Sequence, residues 1–361
     1  MTFRRQLLAA VLAAVAVTLA ACGEAGQAPA GAVPAVRCAN GSITAQGSSA
    51  QANAVNTWIR TFQAACAKAT IGYQSTGSGA GLRAFIAGTV DFAGSDAALG
   101  TADQPKADAR CATGPAIHLP MAVGPVALAY TVAGVEDLKL SPATVAKIFS
   151  GSVTTWDDPA IAEENGGVSL PPTAIRTIHR SDGSGTTDSF TKFLAAAAPE
   201  DWPFDSGTAW PAPGGAAEKG NSGVAAAVAQ TDGSIGYMEG SYAQALNLRT
   251  ARIGNRSGEF VEPGTDATAR AVADADIVGT GNDLRLRMAY TSTADGIYPI
   301  VLVTYEVVCE RGTRPESLDL VKAFLTYAAS KDGQKAATRL GYSALPEQIR
   351  TRVTTAIAAL A

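Results

Sequence analysis

The stretch Arg180-Ser181-Asp182-Gly183-Ser184-Gly185-Thr186-Thr187 follows a short β-like run at 174–179. It opens a helix expected over 187–198, with Phe190, Phe193 and Leu194 on one face. A strand, a Gly/Ser turn and a helix start gather unpaired backbone N–H groups at one point, with the positive end of the helix dipole. That is an anion cradle. Ser184, Thr186 and Thr187 add hydroxyls, Arg180 a planar fork suited to a tetrahedral oxyanion, and Asp182 a carboxylate to hold the fork in place. On its own the motif reads as a capped helix after a turn, so matching pieces elsewhere decide its meaning.

Two similar junctions precede it. A strand over 41–46 runs through Gly47-Ser48-Ser49-Ala50 into a helix reaching Lys68, in which Val55, Trp58, Ile59, Phe62 and Cys66 share one face. A strand over 69–74 then meets the turn 75–81 and a short helix bearing Leu82, Phe85 and Ile86. A third strand, 89–93, ends in Gly94-Ser95-Asp96. Ligands of open α/β sheets sit off the carboxyl ends of strands, which makes Ser48, Ser49, Ser78 and Asp96 candidates for one site. Each also has a plain structural reading. The two serines suit helix caps, Ser78 a turn, and Asp96 a loop carboxylate.

Further on, 117–132 is an apolar run too long for one typical strand and broken by Pro120, Gly124 and Pro125. It reads as a crossing between domains, and the Val/Ile-rich run 298–308 as the return. A second α/β set lies between them, with segments at 141–149, 224–229, 234–239 and 252–255 around the Arg180 stretch. Amphipathic helices over 315–330 and 346–360 close the chain. A double crossing of this kind forms a hinge that permits closure around a ligand.

The N-terminus reads as export machinery. Arg4 and Arg5 precede an apolar run from Leu7 to Ala21, too short to span a membrane stably. Leu19-Ala20-Ala21-Cys22 resembles a bacterial lipobox. The expectation is therefore a signal peptide over 1–21, lipid on Cys22, a flexible Ala/Gly/Pro tether over 22–37, and anchoring to the outer face of the cytoplasmic membrane. Removing Arg4 and Arg5 from a formal charge of −4 leaves −6. A mildly acidic chain without a basic run is a poor nucleic-acid binder. With Cys22 set aside, Cys38, Cys66, Cys111 and Cys309 make an even set in an oxidising compartment. No C-x-x-C exists, and His118 and His179 are the only histidines, so disulfides are favoured over a metal site. His118 reads as structural, and His179 points away from Arg180 by strand alternation.

In order along the chain, GSITAQGSSA (41–50), YQSTGSGA (73–80), VDFAGSD (90–96), WDDPAI (156–161), RSDGSGT (180–186), KGNSG (219–223), IGY (235–237) and YPI (298–300) cover nearly the whole mature sequence. This series resembles the substrate-binding lipoprotein of the bacterial high-affinity phosphate ABC importer, most closely the actinobacterial members. The resemblance implies an α/β two-domain periplasmic-binding-protein fold of the second type. Domain I would span 38–124 and 299–361 and domain II 125–298, joined by two crossing segments. It implies phosphate ligands at the hydroxyl and N–H groups of Ser49 and Ala50, at Ser78 and at Asp96 from domain I. Arg180, Ser184, the Gly185 N–H and Thr186 would come from domain II. Many members of that family have Thr-Phe where this chain has Ser49-Ala50, which leaves Ser48 as the alternative position of the first hydroxyl. The partners implied are a membrane permease and its ATPase subunits, with the binding component acting as a monomer and without a cofactor.

Two other readings compete. A phosphatase would need an activated nucleophile, but neither His is placed as a base, and G-x-x-x-x-G-K-[ST], G-x-S-x-G and H-E-x-x-H are all missing. Binding of another oxyanion such as sulfate is opposed by Asp96. A carboxylate only accepts, so it favours a ligand that still carries a proton at neutral pH. Cys38 precedes the first strand and Cys66 ends the helix after it, at the same sheet edge, so the expected bridges are Cys38–Cys66 and Cys111–Cys309.

Overall fold

The computed structural model describes residues 36–111 and 113–361. The signal peptide, Cys22 and the tether up to Ala35 lie outside them. Eight strands of one large sheet organise the chain: β1 (Gly41–Gly47), β2 (Ala69–Ser75), β3 (Phe92–Ser95), β4 (Ala116–Thr131), β5 (Arg176–Arg180), β6 (Ala216–Glu218), β7 (Ser234–Glu239) and β8 (Val301–Cys309). Their spatial order is β2-β1-β3-β8-β4-β7-β5-β6, and the short strand Arg249–Thr250 pairs with β4.

The two ends of this order match. β2-β1-β3 is parallel and in second-first-third order, and β6-β5-β7 repeats the same order. Each triplet is then bordered by an antiparallel strand that belongs to a crossing, β8 on one side and β4 on the other. β4 and β8 pair with each other over Ala116–Pro125 and Val301–Cys309. This is a two-domain α/β binding-protein fold of the second type, with two crossing strands between the halves.

β4 corrects one expectation. It is a single strand of sixteen residues, not a broken run. Its partner changes instead: Pro125 still faces Val301 of β8, whereas Val126 faces Glu239 of β7. Proline has no N–H to donate, and the switch of partner is where a ladder bond is most easily spared. Pro120 similarly sits opposite a register shift between Thr304 and Tyr305.

Two other boundaries move. The helix expected to begin around Leu82 starts at Ser78, so Ser78 is a first-turn residue and not part of the turn. The helix after Arg180 starts at Gly185, two residues earlier than expected. Each shift places candidate residues directly on a helix N-terminus.

The first half packs Phe62 and Phe92 against Phe324 of the C-terminal helix Pro315–Ala329, with Phe62 and Phe324 edge to face at 5.8 Å, and buries Trp58 in the same core. The second half buries Phe149, Phe190 and Tyr237, with Phe190 and Tyr237 stacked at 4.6 Å. Both expected disulfides are present, with Cα–Cα distances of 5.4 Å for Cys38–Cys66 and 5.3 Å for Cys111–Cys309. His118 is fully buried; Nδ1 faces Asp283 at 2.8 Å and Nε2 accepts the Leu99 N–H. His179 stacks on Trp210, away from the buried Arg180 side chain.

Candidate functional site

Four strands end at one place, and a helix N-terminus follows each of them. β1 leads to the helix Ala52–Ala65, β2 to Ser78–Ile86, β5 to Gly185–Ala197 and β6 to Gly220–Gln230. First-turn N–H groups have no partner within their own helix, and each N-terminus carries roughly half a positive charge. The anion-seeking potential of an acidic chain is thus built from dipoles rather than from net charge.

On the first half, Asp96 stands one residue beyond β3 and is buried. Its Oδ1 accepts the Ser48 hydroxyl at 2.5 Å and the Thr304 hydroxyl at 2.6 Å; Oδ2 has only a 3.5 Å contact from Ser78. The Ser78 Oγ accepts the Asp96 N–H, and the Ser48 Oγ accepts the Ala50 N–H. Burial raises the Asp96 carboxyl above its ordinary range, opposed by the hydroxyls of Ser48 and Thr304 and by the charge of Arg180.

On the second half, Arg180 donates through Nε and Nη2 to the two oxygens of Asp182, at 2.8 and 2.5 Å. Burial would raise Asp182, but its bonds to Arg180 outweigh this and hold it below the usual carboxylate range. With the fork gripped on one edge, Nη1 is directed towards the Thr186 hydroxyl at 3.4 Å. Tyr237 accepts the Arg180 N–H and bonds the Thr187 hydroxyl, fixing the strand end against the helix start. Ser184 caps that helix by accepting the Thr187 N–H.

The halves touch across the cleft. The Gly79 N–H donates to the Gly183 carbonyl at 2.9 Å, and Asn221 donates to the Ser49 hydroxyl from both its backbone and its side chain. Asn221 also reaches Thr186, which links Ser49 to the Arg180 group. Gly185 lies so close to Asp96 that a Cβ there would stand 2.5 Å from the Asp96 Cβ, and a Cβ on Gly77 would meet Asp182. Glycine at these points is a condition of closure.

Every expected ligand residue therefore lies in one buried constellation. Ser48, Ser78 and Asp96 form one group, Arg180 and Thr186 a second, and Asn221 ties Ser49 to the latter. Ser48 and Ser49 take different roles, the first on Asp96 and the second on Asn221. Asn221, Tyr237 and Thr304 were not anticipated. The first two fall inside KGNSG and IGY, and Asn221 obeys the same strand-end rule as Ser78. Thr304 has no local signal, being one hydroxyl within an apolar strand. Among the described residues no group of acidic, His and Cys side chains suits a metal ion.

Two further buried acids flank the site. Burial pushes Glu239 and Glu306 up to about 8, and one oxygen of each makes no protein hydrogen bond. The folded chain therefore holds protons that the unfolded chain, titrating near 4.5, releases. The contribution of these two groups should be fullest below about 4.5 and decline as pH rises towards about 8, by up to ~1.4 kcal/mol per pH unit for each group. Thermal melts of the ligand-free chain between pH 5 and 8 should show this fall, and Glu306→Gln should flatten it. Equal slopes for both proteins would contradict the assignment.

A cleft closed between two halves of second-first-third strand order, floored by helix N-termini, defines the class of periplasmic binding proteins. A model of the PBP superfamily domain matches residues 32–332. Phosphate-binding protein PstS 3 of Mycobacterium tuberculosis (strain ATCC 25618 / H37Rv) is 39% identical over 361 residues, with 97% of each chain covered. Its counterpart in Mycobacterium leprae is 39% identical over 322 residues, covering 88% of this chain and 87% of the relative. Among solved structures, the high-affinity periplasmic phosphate-binding protein PfluDING, bound with phosphate, superposes with a TM-score of 0.71. That match has 23% identity and covers 87% of this chain and 93% of the other. The chain belongs to the PstS family of phosphate-binding proteins.

Proposed function

We propose that the chain captures inorganic phosphate between its two halves, closes over it, and delivers it to the permease of an ABC importer. The observation that carries this reading is the pairing of donors with one acceptor. Four helix N-termini and the Arg180 fork supply positive potential, while Asp96 faces the same cleft with an oxygen that only accepts. Such a site suits an oxyanion that is negative yet still protonated. On this reading the lobes are 38–124 with 299–361 and 125–298, and the ligand groups come from Ser48, Ser49, Ala50, Ser78, Asp96, Arg180, Ser184, Gly185 and Thr186. The relatives' names, which specify phosphate binding, support it. The leader and Cys22 fit export with a lipid anchor outside the cytoplasmic membrane, where a permease and its ATPase would be met from the outer face.

Binding without turnover is part of the proposal: the carboxylate beside the site hydroxyls, Asp96, is read as an acceptor for the ligand's proton, and His118 and His179 are engaged elsewhere, on Asp283 and Trp210. Dialysis with phosphate should retain one anion per chain, and incubation with p-nitrophenyl phosphate should release no nitrophenol. Release in proportion to protein, lost in Arg180→Ala, would make the chain an enzyme and overturn the reading.

A further inference from the structure

We infer that Thr304 is a positioning residue that saturates one oxygen of Asp96 and leaves the other to test whether the bound anion carries a proton. The inference rests on the phosphate reading. Thr304 lies in β8, an apolar strand reading Val301-Leu302-Val303-Thr304-Tyr305-Glu306-Val307-Val308-Cys309, and its side chain is fully buried. The register of β8 on β4 shifts between Thr304 and Tyr305. The extra residue at that shift is Met121 of β4, so β8 keeps its alternation and brings the Thr304 hydroxyl to Asp96 from 208 residues along the chain.

The direction of each proton follows from the bonds. The Ser48 oxygen accepts the Ala50 N–H, and its one hydrogen goes to Asp96 Oδ1. The Thr304 hydrogen goes to the same Oδ1. Two donors fill both lone pairs of that oxygen, so the acceptor capacity left to the carboxylate is on Oδ2. Both donors also favour the ionised form, as does Arg180. Ser78 favours it too through its contact with Oδ2, whereas Glu306 of the same strand, Glu239 at the end of β7, and the phenols of Tyr73 and Tyr242 oppose ionisation or are neutral. Thr304 thus helps to keep Asp96 a charged pure acceptor in a site whose burial works against that charge.

Thr304→Val keeps the shape and removes the donor. Asp96 should then take up a proton more readily and present an O–H to a fully ionised anion. The phosphate-to-sulfate affinity ratio should fall roughly ten- to a hundred-fold, the worth of one hydrogen bond to a charged group. The fall should be larger at pH 5.5 than at pH 8.5, and Thr304→Ser should restore the wild-type ratio. Competition titrations with phosphate and sulfate on the full chain read this directly. An unchanged ratio, or equal losses for both anions at both pH values, would overturn the role. Ser48→Ala, which removes the other donor to the same oxygen, should move the ratio in the same direction and serves as the test if Thr304→Val does not fold. Failure of the wild-type chain to bind phosphate would instead defeat the parent reading.

Discussion

Arg180→Ala is expected to lower phosphate affinity by roughly thirty-fold to several-thousand-fold, or ~2–5 kcal/mol, with the fold retained. Two effects combine. The site loses its one charge-assisted fork, whose Nη1 lies by Thr186. Asp182 then loses the partner that holds its charge, leaving an unpaired carboxylate beside the cleft proposed to hold the anion. Its remaining bond from the Gly220 N–H does not neutralise it. Arg180→Lys should recover only part of the affinity, because a point charge cannot grip both Asp182 oxygens and still reach Thr186. Calorimetry beside a melting curve checks this. Wild-type affinity in Arg180→Ala, with a normal melt, would remove Arg180 from the site.

Asp96→Asn is expected to change selectivity more than stability. In the native chain a carboxylate in a closed, buried site repels a fully ionised oxyanion, and like-charge contact of that kind costs several kcal/mol. Sulfate should therefore bind at least roughly a thousand-fold more weakly than phosphate. Ser48 and Thr304 both donate to Oδ1, so an asparagine will seat its carbonyl there and place its NH2 where Oδ2 stood. That NH2 donates to sulfate and phosphate alike. Phosphate should be held with modest loss while most of the sulfate penalty disappears. A phosphate-to-sulfate ratio unchanged in Asp96→Asn would mean that Asp96 does not face the ligand.

The parts of this site that were legible in the sequence are those set by local chemistry. A β run, a Gly/Ser turn and an amphipathic helix locate Arg180–Thr186, and the same grammar locates Ser48, Ser49 and Ser78, because strand ends and helix starts are written in consecutive residues. Asp182 was readable as the holder of Arg180 for the same reason. Thr304 was not, because its role depends on the register of β8 against β3 and β4, and a shift in that register leaves no local mark. β4 shows the same limit from the other side. Gly124-Pro125 signalled a break, but the strand continues because its partner changes there. Helix starts were misplaced where small residues such as Gly185 and Ser78 serve equally in a turn or a first helical turn. Closure was unreadable at Gly77, Gly79 and Gly185, whose missing side chains matter only against the opposite half.

The central claim is most directly tested by calorimetric titration of the chain from Arg37 onward, stripped of ligand, with phosphate and then with sulfate. The account predicts one phosphate per chain, bound at least roughly a thousand-fold more tightly than sulfate. Sulfate binding as tight as phosphate, or no heat with phosphate from a folded chain, would contradict it.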